Sequence, residues 1–129
     1  MNTLAALSVF TGAGLGALLR WLLGLRLNPL FPTVPLGTLA ANLIGGLLIG
    51  FLLTWLNRHP AIPPEVRLLL VTGFLGGLTT FSTFSAEVVT LFARGEHLWG
   101  LTAAAAHLLG SLALTAIGMW TAHALLTRT

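Results

Sequence analysis

The chain has 129 residues, of which 56% are hydrophobic and only 7% charged, with a mean hydropathy of +0.94; that is one domain's length with a composition that excludes a water-soluble fold. Six basic residues, all arginine, oppose three acids and give a net charge of +3 and a pI of about 11.7, but they stand singly and form no basic patch, which argues against nucleic acid as a partner. The absence of cysteine excludes disulfides, thiol catalysis and cysteine-held metals.

A span through lipid needs ~20 apolar residues. The first covers about 4–25. The N-terminal Met-Asn-Thr-Leu-Ala-Ala-Leu lacks a basic n-region, and apolar sequence continues past Ala17, so this is read as a retained helix and not a cleaved signal. Gly12-Ala13-Gly14-Leu15-Gly16-Ala17 matches a loose dinucleotide fingerprint, yet no strand precedes it and no acid follows at the required distance. The better reading is helix packing: Gly12-xxx-Gly16, Gly46-xxx-Gly50 and Gly73-xxx-Gly77 share the small-residue spacing that lets helices approach closely in lipid.

Asn28, Pro29, Pro32 and Thr33 form a loop. The second span runs over about 35–56, with Thr33 as the expected cap and proline in the first turn. The third runs over about 64–93 and is expected to break near Gly76–Thr80, with Gly95 as its terminator. The fourth runs over about 98–126. Trp21, Trp55, Trp99 and Trp120 all fall near span ends, where an aromatic belt sits. The expected fold is therefore all-α, a single four-span membrane domain over residues 1–129 with its third helix broken near the centre.

Four crossings put both termini on one side. That face carries Arg58, Arg67 and Arg128, and the other Arg20, Arg26 and Arg94. The positive-inside rule therefore gives no bias. Two readings stand: a weak signal overridden by the insertion machinery, or dual topology, in which oppositely inserted copies pair as a two-fold homodimer.

The most telling stretch is Gly73-Phe-Leu-Gly-Gly-Leu-Thr-Thr-Phe-Ser-Thr-Phe-Ser-Ala-Glu87. Freed backbone carbonyls at membrane depth are tolerated only against protein or in a wet cavity, so glycines and threonines there point to an ion or substrate site. Phe81 and Phe84 share a helical face amid Ser82, Thr83 and Ser85. They are either lipid-facing or core rings, or their positive edges meet an anion. Asn42 inside span two is either an interhelical tie or a donor to a permeating anion. His107, Ser111 and Thr115 recur every four residues as one polar stripe. The hydroxyls either bond back to helix carbonyls or form a pore wall, and a neutral His107 offers one N–H. Glu87 is the acid well inside a span; it serves as proton relay, partner of arginine or neutral donor. Arg20 is its potential partner or lines an anion-attracting entrance. With no aspartate, no phosphate loop and no His-Glu-x-x-His, no enzyme is expected.

At these residues the sequence resembles the Fluc (CrcB-type) bacterial fluoride channels over nearly its whole length. The likeness rests on Gly16-Ala17-Leu18-Leu19-Arg20-Trp21, on Gly37-Thr38-Leu39-Ala40-Ala41-Asn42-Leu43-Ile44-Gly45 and on Gly73 to Glu87. The resemblance implies a dual-topology antiparallel homodimer in the bacterial inner membrane, with two fluoride pores lined by both subunits. It implies passive fluoride efflux that protects against fluoride toxicity. It assigns Phe81, Phe84 and Asn42 to the pore, with Ser111 and then Thr115 as further lining; Ser82 and Thr83 can supply hydrogen-bond donors beside them. Gly76 and Thr79 become backbone ligands of a structural sodium ion at the dimer centre. Arg20, Glu87 and His107 fall in the vestibule or polar track. One departure is His107, where many relatives carry tyrosine. Another is Leu75, in place of a small residue. The rival readings are a proton-coupled dual-topology exporter, which would have to use Glu87, and a non-transporting assembly subunit.

Overall fold

The computed structural model describes residues 2–127, and those residues are helical apart from short connections. Helix α1 (Thr3–Leu27) starts at Asn2, whose Oδ1 accepts the Ala5 N–H at 2.7 Å. This satisfies a donor that the first helical turn leaves without a partner. A 3₁₀ turn (Asn28–Leu30) leads to α2 (Leu36–Arg58).

Helix α2 starts beside Pro35 as expected, but its cap needs correcting, because Thr33 does not hold that position. Pro35 holds the cap position and no side chain caps from there. Instead Asn28, back in the loop, accepts the Gly37 N–H on its Oδ1 at 2.7 Å. A Cβ on Gly37 would come 2.5 Å from Gly24 Cα. The missing side chain lets α1 and α2 close together, and that closeness carries Asn28 to the start of α2.

The third apolar stretch is not uniform. It opens as α3 (Pro64–Arg67) and winds as a π-helix over Leu68–Leu75. It returns to α4 (Gly76–Leu78), becomes extended at Thr79 and Thr80, and resumes as α5 (Phe81–Ala93). Arg67 ties its start to the end of α2. Its Nη2 donates to the carbonyls of Leu56 at 2.7 Å and His59 at 2.9 Å, supplying a cation where the helix dipole is negative. Gly95 closes α5 with φ +78°, and the Glu96 N–H reaches back to Leu91 O at 2.9 Å. That closure needs the left-handed conformation glycine adopts without penalty. Helix α6 (His97–Leu126) follows.

Among the described residues, four stretches are long and apolar enough to cross a bilayer: Thr3–Leu30, Leu36–Arg58, Pro64–Ala93 and His97–Leu126. Arg128, one of the charges counted for topology, lies outside the described residues.

Helix α2 packs along α6, and α1 packs along the π-helix and α4. Both seams are built on glycine. A Cβ on Gly12 would collide with Leu69 O, one on Gly16 with Phe74 O, and one on Gly77 with Ala13 O. The first and third small-residue motifs therefore interlock. The second packs on α6, where added carbons on Gly50 and Gly118 would strike Thr115 O and Leu47 O. Close backbone approach replaces bulky side chains, as packing in lipid favours. Between the seams Ala41, Leu75 and Leu78 are buried, with Leu19, Leu23 and Phe74 around them.

Candidate functional site

The site grows from the two extended residues between α4 and α5. In an unbroken helix the Thr80 N–H would bond Gly76 O and the Thr83 N–H would bond Thr79 O. Here the Thr80 N–H donates to Asn42 Oδ1 at 2.8 Å, and the Thr83 N–H to Thr80 Oγ1 at 3.1 Å. Gly76 O and Thr79 O thus lose their helical donors. Thr80 O is satisfied by Asn42 Nδ2 at 3.1 Å. One amide side chain in α2 therefore pairs with both backbone groups of Thr80, as a neighbouring strand would. This pairing makes non-helical backbone tolerable at membrane depth.

The second hydrogen of Asn42 Nδ2 is directed at His107 Nδ1, 3.0 Å away on α6. The chain Thr80–Asn42–His107 thus joins three separate helical segments. His107 is 4% exposed, and the Phe84 ring stacks on its imidazole with centroids 4.6 Å apart. Phe81 meets Phe84 edge-on at 5.5 Å and 68°, an arrangement the ring quadrupole favours. Phe81 itself is 80% exposed.

A cavity of about 440 Å³ lies over these groups; Asn42, Gly76, Thr79, Phe84, His107 and Ser111 are in its wall and Phe81 is part of its lining. A second, of about 330 Å³, is lined by Arg20, Trp21, Asn28, Thr38 and Thr83. Thr80 borders both. Arg20 enters the second cavity with its Nε bonded to Gly77 O at 3.1 Å, so its charge sits at the carbonyl end of α4. Thr83 Oγ1 accepts from Thr80 Oγ1 at 3.0 Å and keeps its own proton.

Other candidates sit differently from expectation. Thr115 does not offer its proton to a cavity: Oγ1 shares it between Ser111 O at 2.8 Å and Gly46 O at 3.0 Å. The glycine seam explains this, because Gly46 brings a bare carbonyl within reach. Ser111 Oγ makes no hydrogen bond among the described residues and lines the larger cavity. Ser82 is exposed, its Oγ 3.3 Å from Thr80 Oγ1, and lies outside both linings. Asn42 keeps no uncommitted hydrogen. Glu87 is not joined to Arg20: its Oε1 accepts from Thr38 Oγ1 at 2.6 Å, and no ion pair links the two among the described residues.

Two residues were given no role of their own from the sequence, although Thr80 fell within the stretch expected to break. Thr80 is the pivot of the network, and Thr38 is the buried partner of Glu87. Thr38 was findable, because it lies four residues before Asn42 and so on the same face of α2. Thr80 was not, since its role depends on which side chain meets it.

The family described as CrcB-like protein, Camphor Resistance (CrcB), matches residues 7–119. The chain belongs to this family. Among its relatives, proteins named fluoride-specific ion channel FluC from Burkholderia lata and Burkholderia cenocepacia are each 62% identical over 91% of both chains. A protein of the same name from Burkholderia pseudomallei is 59% identical over the same share. With four helices fit to span, this CrcB-family chain is a multi-pass membrane protein.

Proposed function

We propose that the chain is a fluoride-selective ion channel. The observation that carries this reading is its likeness, over 91% of both chains, to proteins named for fluoride conduction. The flux is passive, down the anion's electrochemical gradient, across the bacterial inner membrane, and it relieves fluoride toxicity. Residues 64–93 act as one span interrupted at Thr79 and Thr80. Two antiparallel copies form the working unit, and each cavity is half of a pore that the second copy completes. Support for this comes from the position of Phe81 and Phe84 beside the larger cavity and from its volume of about 440 Å³, which leaves room for further groups.

In this reading fluoride leaves water step by step. Arg20 draws the anion toward the smaller cavity, where Thr83 offers its hydroxyl proton, while Ser82 lies outside that lining. The ring edges of Phe81 and Phe84 supply weak positive potential with no fixed charge, which keeps binding shallow enough for release. Ser111 provides the next hydroxyl. Asn42 serves the pore by holding the Thr80 backbone in place. Glu87, tied to Thr38, closes the polar track.

Sodium fits as a structural ion. Gly76 O and Thr79 O are the carbonyls whose helical donors are used elsewhere, and a hard cation takes such oxygens. These two residues would hold it, and its charge would favour anions nearby.

The deciding experiment is fluoride-electrode efflux from liposomes holding the purified protein, at equal pH on both sides, with chloride as control. Efflux driven by the fluoride gradient alone, with chloride retained, is the expected result. A requirement for a pH difference would replace the channel with a proton-coupled exporter; no flux would remove both.

A further inference from the structure

One face of α2 holds both extended residues of the third span. Asn42 pairs with the Thr80 backbone. Gly45, one turn on and so on the same face, meets Thr79. Gly45 is buried. A Cβ built there would fall on Thr79 Cγ2 and come 3.6 Å from Thr79 Cβ, with no third atom of another element within 4 Å. The Thr79 methyl thus fills the place of the absent side chain. Thr79 also donates to Leu75 O twice, from its N–H at 3.0 Å and from Oγ1 at 2.8 Å. Turning the side chain away from α2 would break the Oγ1 bond, and a β-branched residue has few other χ1 wells to enter. The N–H, hydroxyl and methyl of Thr79 are therefore all committed. Its carbonyl is left over, because the helical donor it would meet, the Thr83 N–H, is used on Thr80 Oγ1.

We propose that Gly45 is a positioning residue for the cation site: its missing side chain seats the Thr79 methyl and so fixes the carbonyl that Thr79 offers to sodium. This rests on the reading of Gly76 and Thr79 as backbone ligands of that ion. Gly45 lines the 440 Å³ cavity together with both of them. A hard cation takes its oxygens within a few tenths of an ångström, so a small displacement of Thr79 weakens the set. Gly45 has nothing to offer the ion itself and acts only through Thr79. Helix α2 thereby grips the break in two ways on successive turns, with an amide at Asn42 and with a vacant position at Gly45.

The contact is one glycine against one methyl, which allows a reciprocal exchange. Thr79→Ser deletes the methyl and keeps the hydroxyl. Gly45→Ala combined with Thr79→Ser therefore moves one carbon across the contact at constant volume, the kind of swap that packed interiors tolerate. The full-length protein is purified in potassium buffer, and its thermal unfolding in detergent is followed as sodium chloride replaces potassium chloride at constant ionic strength. An ion that binds the folded form raises the unfolding temperature with its concentration. Gly45→Ala is expected to need about tenfold or more sodium than wild type for half of that rise, through overpacking against Thr79. Thr79→Ser, which leaves the seat empty, is expected to need about threefold more. The double variant is expected within about twofold of wild type, because the two changes compensate. Fluoride efflux from liposomes in sodium should follow the same order. A merely structural clash would lower the unfolding temperature in potassium and leave the sodium midpoint where it was; that result would overturn the proposal. So would a double variant no better than Gly45→Ala. If Gly45→Ala does not fold, an unchanged sodium midpoint in Thr79→Ser overturns it. A wild-type protein that sodium does not stabilise ends the sodium reading and this inference with it, whereas fluoride efflux from that same protein leaves the channel reading standing.

Discussion

Phe81 and Phe84 occupy neighbouring turns of α5, yet their surroundings differ. Phe84 is stacked on His107 and half-buried, whereas Phe81 is 80% exposed and touches Phe84 by an edge contact. A ring with so little packing contributes little to the stability of one protomer, so its replacement separates conduction from folding. Phe81→Ile is expected to cut fluoride efflux strongly while the stability of a single protomer shifts by no more than about 0.5 kcal/mol, as exposed substitutions do. Phe84→Ile is expected to cut efflux and also to lose about 0.5–1.5 kcal/mol, the scale of a stacked aromatic pair. Undiminished flux through Phe81→Ile would show that the ring edge has no part in passing the anion.

At the scale of helices, the seams are set by where a side chain cannot fit. Gly16 and Gly14 are two residues apart on α1 and make opposite predictions. A Cβ on Gly16 would meet Phe74 O and come 2.7 Å from Leu78 N, whereas one on Gly14 meets nothing within 4 Å. Gly16→Ala is therefore expected to destabilise by about 1–3 kcal/mol through overpacking. Gly14→Ala is expected to be neutral or to stabilise by up to about 1 kcal/mol through helix propensity. Denaturant titration of both variants in detergent checks the pair; equal effects would mean that the α1 seam is not close-packed. The glycine spacings were legible in the sequence, as were the Gly95 terminator and the four apolar stretches, because each is written in local spacing or hydropathy. The π-winding of Leu68–Leu75 was not. Hydropathy is blind to whether a carbonyl is met four or five residues on. Asn28 as the cap of α2, Thr38 beside Glu87 and Arg67 on Leu56 O were hidden for a related reason: each bond joins residues 8 or more apart in sequence. Asn42 was recognisable as costly in lipid, but its Thr80 and His107 partners come from α4–α5 and α6, so the sequence left tie and anion donor as equal readings.

For the whole molecule, the arginines test how the chain enters the membrane. Arg58, Arg67 and Arg128 mark one face and Arg20, Arg26 and Arg94 the other, an even count across four crossings. Orientation follows the Lys/Arg difference near span ends, so an even count gives no bias, and of the two readings it leaves, insertion both ways makes a prediction. Breaking the balance should therefore break function if two opposed copies are needed. Asn57→Arg with Ala61→Arg adds two charges to the first face at exposed positions, and Leu30→Arg with Pro32→Arg adds two to the second. Each double variant is expected to insert one way, read by a C-terminal reporter found on a single side, whereas the wild-type reporter is expected on both. Each biased form expressed alone should lose fluoride efflux, since parallel copies cannot place Phe81 of one protomer against the open cavity of an inverted partner. Co-expression of the two oppositely biased forms should restore it. Full activity from one biased form alone would make the pore complete without an inverted copy, and the balance of arginines would then be incidental to conduction.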